Sequence, residues 1–469
     1  MCAIRGEDMD KYYLIGEHLG HSLSPEVHRA FGRYNYELKE LSPTELEPFL
    51  LARDFAGLNV TIPYKEAVIP FLDRLDPAAA AIGAVNTVVK RDGLLWGYNT
   101  DFGGMKASLE GLCLGWAANG RPCGAEPIPP LSSRDRSADR SRQSLSEPLR
   151  GKSVLILGTG GSSKTALAVC RALGASQIRR VSRTGRDGAL TYEALLQGEV
   201  QADLLVNCTP VGMWPDPDGL AVDLTALQAC HSEPRDESVS PVPLSRLSAV
   251  FDCVYNPLRT RLVVEAQARG IPAAGGLYML VKQAALACER FTGSPVEEEQ
   301  IDSIFNILRR KQESIVLIGM PGAGKTTVGR IFAQKTGREF VDFDEEIVKR
   351  TGHTIPFIFQ RFGEARFRAW ESAFVRELSR FGGLVIATGG GTVLREENVR
   401  LLKRYGRLVF LDRPLEALAP SQERPLGDTA EKIAALYAER YPIYLRAADR
   451  RVPVTGTPED AAKAVLAAL

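Results

Sequence analysis

The sequence predicts an α/β protein built from several units with parallel sheets, and three observations carry that prediction. Short apolar runs alternate with segments of helical spacing along most of the chain. Glycine-rich loops lie between an apolar run and a helical segment at residues 157–163 and again at 319–326. With 469 residues the chain exceeds one ordinary domain, since roughly 150 residues per domain points to about three.

Composition narrows the function classes. Hydrophobic residues make up 45% and charged residues 25% of the chain, enough for several globular cores. A net charge of +1 lacks the basic excess expected of a nucleic-acid or membrane-surface protein. The eight cysteines are scattered without a C-x-x-C pair and the five histidines are equally dispersed, so neither a zinc site nor a disulfide framework is expected. The opening MCAIRGEDMDKYY has no apolar leader, and no run approaches the roughly 20 apolar residues of a membrane span. A soluble cytoplasmic protein acting on small molecules is the expectation.

In chain order, Tyr13–Ile15, Gly57–Val60 and Val85–Val89 read as strands, and Pro25–Tyr34 and Tyr64–Leu72 as helices. Residues 113–150, rich in Ser, Arg, Pro and Gly, read as an irregular insertion. Order resumes with Ser153–Leu157, a glycine turn and a helix through Leu173, then strands Gln177–Val181, Ala202–Asn207 and Ala249–Cys253. That rhythm predicts a doubly wound, Rossmann-like domain, interrupted by a second insertion at 231–246. Helical spacing covers Gly276–Arg290 and Glu297–Leu308, RRKQE at 309–313 reads as a linker, and Ser314–Ile318 opens the last domain. The expected domains are 1–108 and 109–275, helices at 276–308 that pack back on the first, and 314–469.

The first loop, Gly158-Thr159-Gly160-Gly161-Ser162-Ser163, stands where a dinucleotide fingerprint should, with Ser163 at the third glycine position. An NAD-binding domain carries an acid at the end of its second strand, to bond the ribose 2′-hydroxyl. Here Ser182-Arg183-Thr184 stands instead, and the forked donors of Arg183 suit a 2′-phosphate, favouring NADP. A merely solvated arginine stays open, since Arg179, Arg180 and Arg186 crowd the region.

Four motifs precede that domain: Gly20-His21-Ser22-Leu23-Ser24-Pro25, Asn59-Val60-Thr61-Ile62-Pro63-Tyr64-Lys65, Gly83-Ala84-Val85-Asn86-Thr87 and Gly97-Tyr98-Asn99-Thr100-Asp101. Small polar side chains beside Gly or Pro suit a polyhydroxylated anion, although each motif alone could be capping or turn chemistry. Together, in this order, they resemble shikimate dehydrogenase over about residues 12–308, as do Asn207-Cys208-Thr209-Pro210, Tyr255-Asn256-Pro257 and Gly276-Leu277-Tyr278 through Gln283-Ala284. The resemblance implies that Ser22 and Ser24 hold a carboxylate, and that Thr61, Asn86, Tyr255 and Gln283 contact the rest of the substrate. It further implies Lys65 and Asp101 as the catalytic pair and Gly158, Gly160, Gly161, Ser162, Ser182, Arg183, Thr184 and Gly276 as the NADP site. His18-Leu19 and Ser182 depart from the usual pattern.

The second loop, Gly319-Met320-Pro321-Gly322-Ala323-Gly324-Lys325-Thr326, fits the full P-loop pattern in its strand-to-helix setting. Gly322, Ala323, Gly324, Lys325, Thr326 and Thr327 are the expected ATP-binding residues, with Thr326 a ligand of Mg²⁺. Residues 314–469 resemble shikimate kinase. That resemblance implies Asp342 as support for Mg²⁺ and Asp344 at the acceptor hydroxyl. It places Arg368, Arg440 and Gly389-Gly390-Gly391 around the substrate, with Arg424 as the lid arginine on the transferring phosphoryl group. The stretch between Leu411 and Arg424 looks shortened, and no adenine-stacking arginine is recognisable. A P-loop kinase domain that phosphorylates the first half's product is thus expected, with NADP(H), ATP and Mg²⁺. A silent nucleotide-binding module is the alternative, and the sequence leaves a homo-oligomer open.

Overall fold

The computed structural model describes residues 11–20, 22–119, 147–197, 200, 202–224, 247–418 and 429–469. The cores of both expected insertions and the kinase lid with Arg424 lie outside these residues. Two compact units divide the chain. The first holds the chain up to Asn256 together with Glu265–Ile307, and the second joins Pro257–Val264 to Leu308–Leu469.

The first unit opens with β1 (Tyr12–Gly16), α1 (Ser24–Phe31), β2 (Tyr36–Glu40), α2 (Pro43–Ala52), β3 (Gly57–Val60), β4 (Arg74–Leu75), α3 (Pro77–Ile82), β5 (Thr87–Arg91) and β6 (Leu94–Tyr98). Its sheet runs β2-β1-β3-β5-β6-β4, with β5 antiparallel to both β3 and β6. Ile15, Leu58, Val88 and Leu95 are fully buried beneath it. The expected helix over Tyr64–Leu72 is instead a series of turns ending in a 3₁₀ turn at Ile69–Phe71. Pro70 explains this, because it removes a helix donor and its ring clashes with the preceding turn.

Next come α4 (Asp101–Asn119), β7 (Ser153–Leu157), α5 (Gly161–Ala172), β8 (Gln177–Val181), α6 (Tyr192–Gln197), β9 (Leu204–Asn207), β10 (Ala249–Asp252), α7 (Arg261–Ala268), β11 (Ala273–Ala274), α8 (Leu277–Thr292) and α9 (Glu298–Gln312). The second sheet is wholly parallel, in the order β11-β10-β9-β7-β8. Its order reverses at β7, so a ligand crevice opens beyond the carboxyl end of that strand. A Cβ on Gly103 would lie 2.4 Å from Leu286 Cδ1, and one on Gly104 2.7 Å from the Met279 carbonyl. The two glycines therefore let α4 approach α8 closely, which brings the start of α4 beside Gln283.

The stretch read as a linker continues α9 as far as Gln312. Arg309, Arg310 and Lys311 occupy the helix's last turn, where positive charge is favoured by the helix dipole. The second unit then runs through β12 (Ser314–Ile318), α10 (Lys325–Thr336), β13 (Phe340–Asp342), α11 (Phe343–Thr351), α12 (Ile355–Leu378), β14 (Val385–Ala387), α13 (Glu396–Lys403), β15 (Gly406–Asp412), α14 (Ala430–Ala447), β16 (Arg450–Pro453) and α15 (Pro458–Ala467). Its parallel sheet has the order β13-β14-β12-β15-β16, which reverses at β12 where the P-loop begins.

The segment Pro257–Val264 is built into this second unit by a buried arginine. Arg259 donates to the carbonyls of Lys403 and Gly406, both at 2.8 Å, and to Glu313 at 2.6 Å. Arg407 stands 3.1 Å from the other Glu313 oxygen.

Candidate active sites

In the first unit, polar residues cluster where β3 and β6 end, β5 begins and α4 starts. Asp101 is the first residue of α4 and is buried, and its carboxylate accepts a 2.6 Å hydrogen bond from Lys65 Nζ. Asn86, also buried, donates to Thr100 Oγ1 at 3.0 Å and to Gln283 Oε1 at 3.3 Å, and accepts from the Thr100 backbone at 2.7 Å. Ser22 Oγ accepts from the Ser24 backbone, and the Tyr255 hydroxyl bonds Ser22 and feels the charge of Lys65. Burial pushes the Tyr255 hydroxyl above its ordinary range, so it stays protonated as a donor. Thr61 follows β3, whose last residue, Val60, donates to the Asn86 carbonyl. The structure thus sets Asn86, Thr100 and Gln283 in one hydrogen-bonded cluster next to Asp101, and Ser22 with Tyr255 within reach of the Lys65 charge. A lysine–carboxylate pair such as Lys65 and Asp101 can deliver a proton to an oxygen on which charge develops.

The first glycine loop abuts the same lysine. Gly158 has φ +106°, open only to glycine at low cost, and its carbonyl accepts from Ser163 Oγ at 2.6 Å. The serine at the third glycine position therefore braces the turn rather than disrupting it. Gly160 precedes α5, and the Cβ that Gly161 lacks would stand 3.1 Å from Lys65 Cβ. Ser162 Oγ lies 3.4 Å from Lys65 Nζ, a contact that the sequence reading did not foresee. Gly276 is equally constrained, since a Cβ there would meet the Cys253 carbonyl at 2.2 Å. This backbone cradle at a helix N-terminus fits a pyrophosphate. At the end of β8, Ser182 is buried while Arg183 and Thr184 are exposed, and Arg183 has no ion pair among the described residues. An exposed unpaired guanidinium beside the cradle fits a 2′-phosphate.

The second unit builds its site on the P-loop. Gly319, Gly322 and Gly324 adopt φ of +143°, +83° and +93°, and Ala323 is buried between the last two. Lys325 is buried, and its ammonium donates to the carbonyls of Gly319 and Met320 at 3.0 Å. Thr327 is exposed beside it. Thr326 Oγ1 donates to Asp342 at 2.7 Å, while the other oxygen of Asp342 caps α11 through the backbone of Asp344 and Glu345. A hydroxyl and a carboxylate in contact are the hard oxygen ligands that Mg²⁺ takes.

Asp344 faces the cleft from the first turn of α11. Desolvation, reinforced by Asp342 and Glu371 and opposed by Lys325 and Arg368, pushes its carboxyl up to about 6. Its side chain still reaches solvent, and water moderates that shift. On α12, Arg368 bonds Glu371 at 3.0 Å and Glu364 at 3.0 Å, and Glu371 is fully buried. Gly389, Gly390 and Gly391 press against these groups. A Cβ on Gly389 would lie 2.5 Å from Glu371 Oε1 and 3.3 Å from Asp344 Oδ1, and one on Gly391 would lie 2.2 Å from Arg368. Tyr444 donates to the Gly390 carbonyl and bonds Arg440. Arg440 is 4% exposed, yet no carboxylate pairs with it among the described residues, and its Nε has no hydrogen-bond partner. A buried cation without an anion is costly unless a ligand supplies one. The sequence reading missed Glu364 and also Thr392, whose hydroxyl donates to Glu371; neither carries a motif of its own.

No helix among the described residues is long and apolar enough to cross a membrane, and no three His, Cys, Asp or Glu there cluster as a metal site. Residues 14–88 match the model for the shikimate dehydrogenase substrate-binding domain, and residues 321–469 match that for shikimate kinase. An NADP(+) shikimate dehydrogenase of Geobacillus kaustophilus is 33% identical, aligning 64% of this chain with 100% of its own. Among solved structures, a chorismate mutase/shikimate 5-dehydrogenase fusion protein from Clostridium acetobutylicum is similar at 28% identity and a TM-score of 0.50, covering 65% of this chain and 99% of its own. A shikimate kinase from Acinetobacter baumannii is 38% identical over 34% of this chain and 94% of its own, with a TM-score of 0.33. Two glycine cradles, each facing its own polar cleft, thus accord with both matches: the chain belongs to the shikimate dehydrogenase family and carries a shikimate kinase domain behind it.

Proposed function

We propose that the chain catalyses two consecutive steps, the NADPH-dependent reduction of 3-dehydroshikimate to shikimate and the ATP-dependent phosphorylation of shikimate to shikimate 3-phosphate. One observation carries the first step. The Lys65–Asp101 pair lies against the cofactor loop, where a proton source must stand if hydride is delivered to the neighbouring carbonyl carbon. NADPH, when bound, supplies that hydride. Lys65 delivers the proton to the carbonyl oxygen, and Asp101 holds the ammonium in place. Ser22, Ser24 and Tyr255 receive the carboxylate, while Thr61, Asn86 and Gln283 bond the ring hydroxyls. Arg183 selects NADP through the 2′-phosphate.

For the second step, the buried Arg440, which has no carboxylate partner among the described residues, supports a carboxylate-bearing acceptor, with Arg368 as its second donor. Asp344 accepts the proton of the acceptor hydroxyl, and Lys325 neutralises the transferring phosphoryl oxygens. Thr326 directly, and Asp342 through the hydroxyl and the surrounding shell, would hold Mg²⁺, which would offset phosphate charge when bound. Arg424, outside the described residues, would add its charge to the phosphoryl group as the kinase resemblance implies. The chemistry orders the two halves, because the alcohol made by the first is the acceptor needed by the second.

A coupled assay tests the whole reading. The intact chain receives 3-dehydroshikimate, NADPH, ATP and Mg²⁺ while NADPH loss and ADP formation are followed together. ADP that appears only after NADPH loss begins is the expected result. NADPH loss without ADP, even when shikimate is supplied directly, would reduce the second half to a binding module.

A further inference from the structure

A cavity unrelated to either cleft lies between the end of α11 and the outer face of α12. Its volume is about 490 Å³, within the range that holds small organic ligands. At about 100° per residue, Trp370, Ala373 and Glu377 project from the side of α12 opposite Arg368 and Glu371, so the cavity is separate from the shikimate-kinase cleft. Its floor is apolar, with buried Ile347 and Phe374.

Two features mark it as more than a surface dent. Large aromatic rings stay exposed beside it: Phe357 is 42% and Phe362 44% accessible. They form a continuous run with their neighbours, His353 to Phe357 at 4.6 Å, Phe357 to Phe362 at 6.4 Å and Phe362 to Trp370 at 5.7 Å between ring centres. Exposing such rings forgoes burial energy, which a bound apolar group would recover. The second feature is a charge pair at the mouth. Arg350 stacks 4.4 Å over Phe374 and grips Glu377 through two bonds, of 2.6 and 3.0 Å.

The pair decides the ligand class. A lone carboxylate entering against Arg350 would displace Glu377 and leave it unmatched, and a lone ammonium against Glu377 would leave Arg350 with only its longer, 3.4 Å bond to Glu346. Either exchange breaks a charge-assisted bond to make one. A ligand with both charges on one carbon can insert between the partners and satisfy each, while its side chain lies on the aromatic floor. We propose that this cavity binds a free α-amino acid with a planar aromatic side chain, its carboxylate on Arg350, its ammonium on Glu377 and its ring against Trp370 and Phe362. The inference rests on this cavity alone and holds whether or not the kinase half turns over.

The test uses the full-length chain with L-phenylalanine as probe, read by calorimetry and by the fluorescence of Trp370, with Trp370→Phe identifying that signal. Saturable binding of L-phenylalanine is expected. Binding of 3-phenylpropionate, 2-phenylethylamine and L-alanine should be weaker by about tenfold or more, since each lacks one of the three matched groups. Arg350→Gln and Glu377→Gln should each cost about tenfold in L-phenylalanine affinity and leave NADPH oxidation unchanged. The idea fails if L-phenylalanine does not saturate by about 10 mM. It fails equally if phenylpropionate binds as tightly, or if both charge variants keep the parent affinity.

Discussion

Replacing Gly391 by alanine isolates the carboxylate grip of the kinase cleft from everything else in the chain. Gly391 has φ −106° and ψ 0°, which alanine adopts without backbone strain, so the perturbation is steric alone. The new methyl would stand 2.2 Å from Arg368 Nη2, 2.3 Å from Cζ and 2.4 Å from Nη1. To regain an ordinary contact near 3.4 Å, the guanidinium must retreat by roughly 1.2 Å. Its bond to Glu371 is 3.0 Å long and cannot survive a shift of that size in the wrong direction. The end of a long side chain can swing, but the fully buried Glu371 would keep only its bond from Thr392, so folding should lose about 1–3 kcal/mol. The grip on a ligand carboxylate should also lose one charge-assisted bond, about 1.5–3 kcal/mol, or roughly 10- to 150-fold in shikimate affinity. Calorimetry with shikimate measures this directly, and KM for shikimate at saturating ATP measures it through turnover. NADPH oxidation by the same molecule is the internal control and should not change. Shikimate affinity within twofold of the parent, with folding intact, would refute the role given to Arg368.

Further predictions follow the same logic. Lys65→Met should lower NADPH oxidation by about 10²–10⁴-fold while ADP formation from added shikimate is unchanged; an equal loss of both would point to misfolding. Arg183→Gln should raise KM for NADPH by about tenfold or more and spare NADH, and parallel losses with both would remove the 2′-phosphate reading. Because the carboxyl of Asp344 is pushed up to about 6, its proton-accepting form is lost as pH falls through that value. Kinase turnover should therefore decline on the acid side near pH 6, measured by ADP release with NADPH oxidation run in parallel. A rate flat down to pH 5 would show that Asp344 accepts no proton.

Much of this architecture was legible in the sequence because local signals agreed. β3, β7 and β12 run where the apolar residues run, and both glycine loops join a strand to a helix. What was hidden depended on distant partners. Nothing around Tyr64 announces that the chain turns there, apart from Pro70, whose effect outweighs the helical spacing. The RRKQE stretch reads as a polar linker, yet its charges suit the last turn of α9. Ser162 lies 97 positions from Lys65 in sequence, and Tyr444 lies 54 from Gly390, so neither pairing could be read from spacing. That Arg440 is buried with no carboxylate beside it among the described residues is a property of packing and was invisible until the helix bearing it was placed.

The arginine that fastens Pro257–Val264 into the second unit has a consequence for how the protein is made. Arg259 bonds partners 144 and 147 residues further along the chain. At about 5–20 residues per second, those partners leave the ribosome roughly 7–30 s later. Through most of that interval Arg259 has Glu313, only 54 residues on, as its one available acceptor, and the two carbonyls that complete its site do not yet exist. A gene split at Leu308 would make the wait permanent, leaving Arg259 in one product and its acceptors in the other. Protease digestion of such a split pair, against the intact chain, should show the second half cut sooner; equal resistance would mean that the segment is dispensable. The border between the two coding halves is therefore not the border between the two folded bodies.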